Sequence, residues 1–129
     1  MDVNTTHGAF SWSELMTKDA GKATEFYGQL LGWTFEKMDM PQGPYHVIKV
    51  GDTSVGGIMG PVPGAPPMPP AWGCYVTVSD VDAAAARVGA LGGSVLVPPM
   101  DIPGVGRFTV IQDPQGAMLN LITYSTPSS

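Results

Sequence analysis

Met16–Trp33 reads MTKDAGKATEFYGQLLGW, and Thr77–Gly93 reads TVSDVDAAAARVGALGG. The two stretches share a framework: Asp19 and Asp80, Ala23 and Ala84, Gly28 and Gly89, Leu30 and Leu91, Gly32 and Gly93, each pair 61 residues apart. A constant offset over five positions, close to half the 129-residue length, marks two copies of one supersecondary unit. Each aspartate stands where an N-cap belongs, its carboxylate able to accept a backbone N–H of the first turn. The first copy predicts a helix over Ala20–Leu31, with Ala23, Phe26, Tyr27, Leu30 and Leu31 as its buried stripe and Gly32 as its left-handed stop. The second predicts a helix over Val81–Leu91, favoured by its alanines and stopped by Gly92-Gly93.

Strand signals complete each copy. In the first, Phe10–Thr17 precedes the helix, and Trp33–Glu36, Tyr45–Val50 and Ser54–Met59 follow it, separated by turns at Gly43-Pro44 and Gly51-Asp52. The Gly56-Gly57 pair predicts a bulge or a close backbone approach. In the second, Trp72–Val78 precedes the helix and Ser94–Val97, Arg107–Gln112 and Met118–Tyr124 follow, with a proline loop over 98–104 and a β-turn at Asp113-Pro114-Gln115-Gly116. Gly60–Pro70 is too proline-dense for helix or sheet and reads as an extended connector. The expectation is a single α+β domain, 1–129, of two βαβββ modules: about 8–60, a connector at 61–71, and about 72–125.

Composition narrows the function classes. With 43% hydrophobic and 13% charged residues the chain is expected to fold, with much surface buried or ligand-facing. Its formal net charge is -5 and its six Lys+Arg are scattered, which argues against a nucleic-acid partner. Cys74 is the only cysteine, the start is polar rather than a secretory signal, and no run approaches the roughly 20 apolar residues of a membrane span, so a cytoplasmic setting without a membrane partner is expected.

Several motifs together resemble the vicinal oxygen chelate superfamily, the glyoxalase/bleomycin resistance/dioxygenase fold. They are Glu14–Asp19, Ala23–Tyr27 with Leu31-Gly32-Trp33, Val78–Ala84, and Asp113–Leu121. The resemblance runs from about Phe10 to Tyr124 and implies strands curving into a cradle, helices outside, a cavity inside, and a homodimer. It implies no single activity, because the fold hosts lyases, isomerases, dioxygenases and drug-sequestering proteins. Metal-using members place a histidine seven residues before each capping aspartate and a glutamate seven after the aspartate of the final turn. Here those positions are Trp12, Gly73 and Asn120, and the first-module counterpart of Asn120 is Met59. None suits a divalent first-row ion, so no metal ligand and no cofactor is expected. Of the two histidines, His7 falls in a start expected to be disordered, and His46 sits on a strand whose facing stays open.

Strand alternation groups the side chains around the implied cavity. Trp12, Glu14 and Met16 share one face, and by the resemblance that face is the inner one. In the second module Tyr75 and Thr77 face inward with Gly73, while Cys74, Val76 and Val78 turn to the helix, Cys74 as an inert buried thiol. On the last strand Met118 and Asn120 face inward with Ile122. The ligand-binding set is thus Trp12, Met16, Met59, Tyr75, Thr77, Met118 and Asn120, with Glu14 as the candidate catalytic carboxylate or anchor for a cationic group. Phe26, Tyr27 and Trp33 read as helix–sheet packing; Arg107 and Trp72 carry no assigned role. The leading expectation is a metal-free binder of a small apolar or aromatic molecule. Its rivals are a lyase, isomerase or dioxygenase needing a divalent metal, a metal-free enzyme with Glu14 as general base, and a structural dimer with the hollow filled by side chains.

Overall fold

A computed structural model of the chain describes residues 1–40, 43–61 and 69–125. The elements run β1 (Phe10–Met16), α1 (Ala20–Leu31), β2 (Thr34–Met40), β3 (Gly43–Val50), β4 (Thr53–Met59), β5 (Ala71–Thr77), α2 (Val81–Val88), β6 (Ser94–Ile102), β7 (Gly106–Gln112) and β8 (Met118–Tyr124). The expected α+β order of two βαβββ modules is present. The chain forms two compact units: Trp12–Gly73, and Cys74–Ser129 together with Met1–Ser11.

In the first unit the strands lie in the order β2-β3-β4-β1, with β1 parallel to β4 and the other neighbours antiparallel. Asp19 caps α1 as expected, its Oδ1 accepting the Lys22 N–H at 3.0 Å, and Gly32 ends the helix at φ 75°. Leu15, Ile48 and Ile58 form the buried core, against which Ala20, Ala23, Tyr27, Trp33 and Phe35 pack. The buried stripe of α1 is narrower than expected. Phe26 is 59% exposed and Leu30 63%. Leu31 is 52% exposed, so of the expected stripe only Ala23 and Tyr27 pack on the core. The structure also places Gly43 and Pro44 inside β3 rather than in a turn. β4 reaches only as far as Tyr45, so Pro44 pairs on one side alone, with Asp39 of β2.

The Gly56-Gly57 expectation holds in both its forms. The β3–β4 register shifts beside it, Ile48 pairing with Gly56 but Lys49 with Ser54, which leaves Val55 as the extra residue. A Cβ at Gly56 would run into the Ser13 carbonyl oxygen of β1.

In the second unit the order is β5-β8-β7-β6, with β5 parallel to β8. Asp80 caps α2 through the Ala83 N–H at 3.1 Å. The helix ends at Val88, and one 3-10 turn, Gly89–Leu91, carries the chain to Gly92 at φ 93°. Val78, Val81 and Leu121 form the core. The final turn closes as expected: the Gly116 N–H donates to the Asp113 carbonyl at 3.0 Å, and the Asp113 carboxylate accepts from Gln115 N (2.9 Å) and Ala117 N (3.0 Å). These bonds hold its carboxyl below the usual range.

Two expectations fail here. Pro98 and Pro99 lie in β6, not in a loop. β6 is the last strand of this order, and its register against β7 shifts on both sides of Val97, so bulges absorb prolines that a central strand would reject. The N-terminal segment is ordered rather than disordered. Gly8 N–H donates to the Thr77 carbonyl at 2.7 Å, Thr77 N–H to the Ala9 carbonyl at 2.8 Å, and Ser79 N–H to His7 Nδ1 at 3.0 Å. The connector expected at 61–71 falls largely on 62–68, outside the described residues.

Candidate functional site

The face of the first unit turned away from α1 carries the polar centre. Leu15 points to the helix, so Trp12, Glu14 and Met16 occupy the other face, as the alternation predicted. The register adds their neighbours: Met16 lies beside Met59, Met59 opposite Tyr45, and Tyr45 opposite Met38. Glu14 lies beside Gly57, and Gly57 opposite Val47. The same alternation turns His46 to the side of Ile48, away from this face.

Three of these side chains are linked. The Trp12 indole N–H donates to the Tyr45 hydroxyl oxygen at 2.9 Å, and the Tyr45 hydroxyl donates to Glu14 Oε2 at 2.8 Å. Tyr45 stands on β3 and both partners on β1, with β4 between them. The ring therefore crosses β4, and it does so over Gly57: a Cβ there would collide with the Tyr45 hydroxyl and ring carbons. Trp12, Glu14 and Tyr45 are half-buried, Met59 is buried, and Met16 and Met38 are exposed. Sequence reasoning placed Trp12, Glu14, Met16 and Met59 here but missed Tyr45 and Met38. The available signal was the odd-numbered parity of Tyr45 with Val47, together with a glycine in the facing strand.

The second unit treats its predicted residues differently. Tyr75 and Thr77 are buried and pair with Asn120 and Ile122 respectively, on the face away from α2. Thr77 Oγ1 donates to the Val3 carbonyl at 2.6 Å, so the N-terminal segment covers it. The Asn120 amide donates to the Cys74 carbonyl at 3.2 Å. Met118 is exposed at the start of β8. Cys74 is exposed rather than buried. Arg107, unassigned from sequence, bridges Asp82 (2.9 and 3.0 Å) and Asp101 (3.0 Å), which raises its guanidinium affinity for the proton and lowers that of Asp82.

A second feature of the first unit lies on its helix side. A cleft of about 320 Å³ is lined by Ser13, Trp33, Ile48, Val55, Gly56 and Trp72. Trp33 stacks on Tyr27 at 5.6 Å, Trp72 meets both rings edge-on, and the Trp72 indole donates to the Tyr27 hydroxyl at 3.2 Å.

The positions that hold metal in the resembled superfamily do not fit an ion here. Trp12 offers only an N–H donor, Gly73 no side chain, Met59 a thioether, and Asn120 a neutral amide. Among the described residues no group of three His, Cys, Asp or Glu comes together. Among them, too, no helix is long and apolar enough to cross a membrane.

Comparison with known proteins agrees with this architecture. The family model of the Glyoxalase/Bleomycin resistance protein/Dioxygenase superfamily matches residues 9–121. The chain is 44% identical over 121 residues to "Putative glyoxylase CFP32" of Mycobacterium tuberculosis, covering 93% of this chain and 45% of that protein. It is 32% identical over 123 residues to the anthracycline biosynthesis protein DnrV of Streptomyces peucetius, covering 85% and 45%. The chain thus spans about half the length of the curated relatives it matches. Among solved structures, methylmalonyl-CoA epimerase from M. tuberculosis superimposes with a TM-score of 0.68 at 17% identity, over 92% of this chain and 89% of that one. A hypothetical protein from Bacillus halodurans gives 0.74 at 11% identity, over 96% and 99%. At such identities the likeness is one of fold.

Proposed function

The chain belongs to the glyoxalase/bleomycin resistance protein/dioxygenase superfamily, and from that premise we propose that it binds a small aromatic or apolar molecule on the face of its first module turned away from α1, without a metal ion. The observation that carries this reading is the linked trio Trp12–Tyr45–Glu14 beside Met16, Met38 and Met59. Two rings provide rigid apolar area, three thioethers adapt to an irregular guest, and one carboxylate supplies a polar anchor. The name of DnrV supports an aromatic guest, since anthracyclines are built on flat fused rings. The metal-free part is supported by the donor set, in which indole, thioether, amide and glycine stand where the superfamily's ligands would be.

Doxorubicin, a fluorescent anthracycline, serves as the probe. The reading expects saturable one-to-one binding in buffer containing EDTA, weakened about tenfold by Trp12→Ala. No binding, or binding that requires an added divalent metal, contradicts it. The Tyr45–Glu14 hydrogen bond favours a second reading, in which the oriented carboxylate is a general base. In that case Glu14→Gln abolishes turnover of the bound compound while leaving its binding intact.

A homodimer belongs to the same proposal. Phe26, Leu30 and Leu31 leave an apolar face of α1 exposed, which a second copy covers. Sedimentation equilibrium at twice the monomer mass supports it; a monomer at micromolar concentration contradicts it.

A further inference from the structure

The geometry of the trio points to a specific determinant within the site just proposed, and the inference rests on that reading. We infer that Tyr45, let down onto β4 by the missing side chain of Gly57, is the positioning residue that aims the Glu14 carboxylate, and that it gives the face a preference for aromatic ligands carrying a protonated amine.

The hydrogen-bond roles in the trio are fixed by chemistry. The Trp12 indole can only donate, so the Tyr45 oxygen accepts from it at 2.9 Å. The hydroxyl has a single proton, and it goes to Glu14 Oε2 at 2.8 Å. The order donor–relay–carboxylate sets the Glu14 carboxylate in one cluster with an indole and a phenol. A carboxylate flanked by tryptophan and tyrosine rings is the set of groups that stabilises an ammonium ion, by ion pairing and by attraction to the ring quadrupoles. A neutral aromatic gains the ring contacts alone.

The placement of Tyr45 depends on its neighbours. It sits opposite Met59, two residue pairs along from Gly57, and must lean across β4 to reach Glu14 and Trp12 on β1. Any side chain at position 57 would occupy the space its ring and hydroxyl now fill. Gly57 has backbone angles that other residues can adopt, since it is not among the positive-φ glycines. The absence of a side chain there therefore serves the ring above it rather than the backbone.

The test compares doxorubicin with its N-acetyl derivative, which keeps the fused rings and loses the positive charge. Dissociation constants for both are measured by fluorescence on the wild-type chain and on Tyr45→Phe, Gly57→Ala and Glu14→Gln. The wild type is expected to prefer doxorubicin by about tenfold. Tyr45→Phe, Gly57→Ala and Glu14→Gln should each bring that ratio close to one, with the affinity for the N-acetyl compound changed less than about twofold. A residue that only supported the fold would lower both affinities together and leave the ratio standing. If Tyr45→Phe keeps the wild-type ratio while Glu14→Gln loses it, Tyr45 is not the positioning residue. If both compounds bind the wild type equally, the amine preference is wrong while the aromatic-binding reading stands. If neither binds, both fall.

Discussion

The two modules are built on one plan and have diverged on one face. Toward their helices they are alike: Asp19 and Asp80 cap α1 and α2 through the same hydrogen bond, and aliphatic side chains of β1, β3 and β4, or Val78 with side chains of α2 and β8, form a small core. On the opposite face they differ. The first module carries a carboxylate, a phenol and an indole joined in series. The second spends its polar groups on its own backbone, with Thr77 tied to Val3 and Asn120 to Cys74. The contrast shows that duplicating a scaffold copies the residues that cap and pack, while the outward-turned positions are free to take up different work.

The comparison can be broken at several points, and the largest effect is expected in the shared cores. Ile58 is fully buried and Leu121 nearly so, and truncation of either to alanine should cost about 2–5 kcal/mol in denaturant unfolding. A marked inequality between the two would show that the modules do not carry stability alike. Next comes the contrast between adjacent glycines. Gly56→Ala presses a methyl group against the backbone oxygen of Ser13 and should cost about 1–3 kcal/mol. Gly57→Ala meets only the Tyr45 side chain, which can rotate away, so its stability loss should be smaller and its effect on ligand binding larger. Equal stability losses would mean that the Tyr45 ring is as immovable as backbone.

Smaller still are the caps. Asp19→Ala and Asp80→Ala should each cost about 1 kcal/mol, read from melting curves, because the two bonds are equivalent at 3.0 and 3.1 Å. The smallest effect is one of acidity in the final turn of the second module. The Asp113 carboxyl is held low by the backbone N–H groups of Ala117 and Gln115. A carboxyl with a depressed folded-state pKa contributes stability above its unfolded value, near pH 4, and loses it as pH falls through the folded value. Asp113→Asn should therefore flatten the decline of melting temperature below about pH 4. An unchanged decline would place the acid sensitivity elsewhere.

Much of this fold was legible from the chain because its signals are local. An aspartate before an apolar helix, a glycine after it, and aspartate-proline-x-glycine before a strand each act over a few residues. Alternation likewise put Trp12, Glu14 and Met16 on one face of β1, because a strand alternates whatever its partners are. What the sequence left hidden depends on which strand lies beside which. Tyr45 joins the site only through β4 and the space over Gly57, a relation across 31 residues to Glu14. Cys74 shares its parity with Val76, which is half-buried against the core, yet Cys74 itself is exposed. His7 looked like part of a loose start until Ser79 supplied its partner 72 residues away.

The most direct measurement follows the indole N–H resonances of the three tryptophans while doxorubicin is added in the presence of EDTA. Trp12 bonds to Tyr45 and Trp72 to Tyr27, so the indoles report from opposite sides of the first module. The account predicts that the Trp12 signal moves in a saturable way while those of Trp33 and Trp72 stay in place. Movement of Trp33 and Trp72 with Trp12 unchanged would put the ligand in the cleft on the helix side and contradict it.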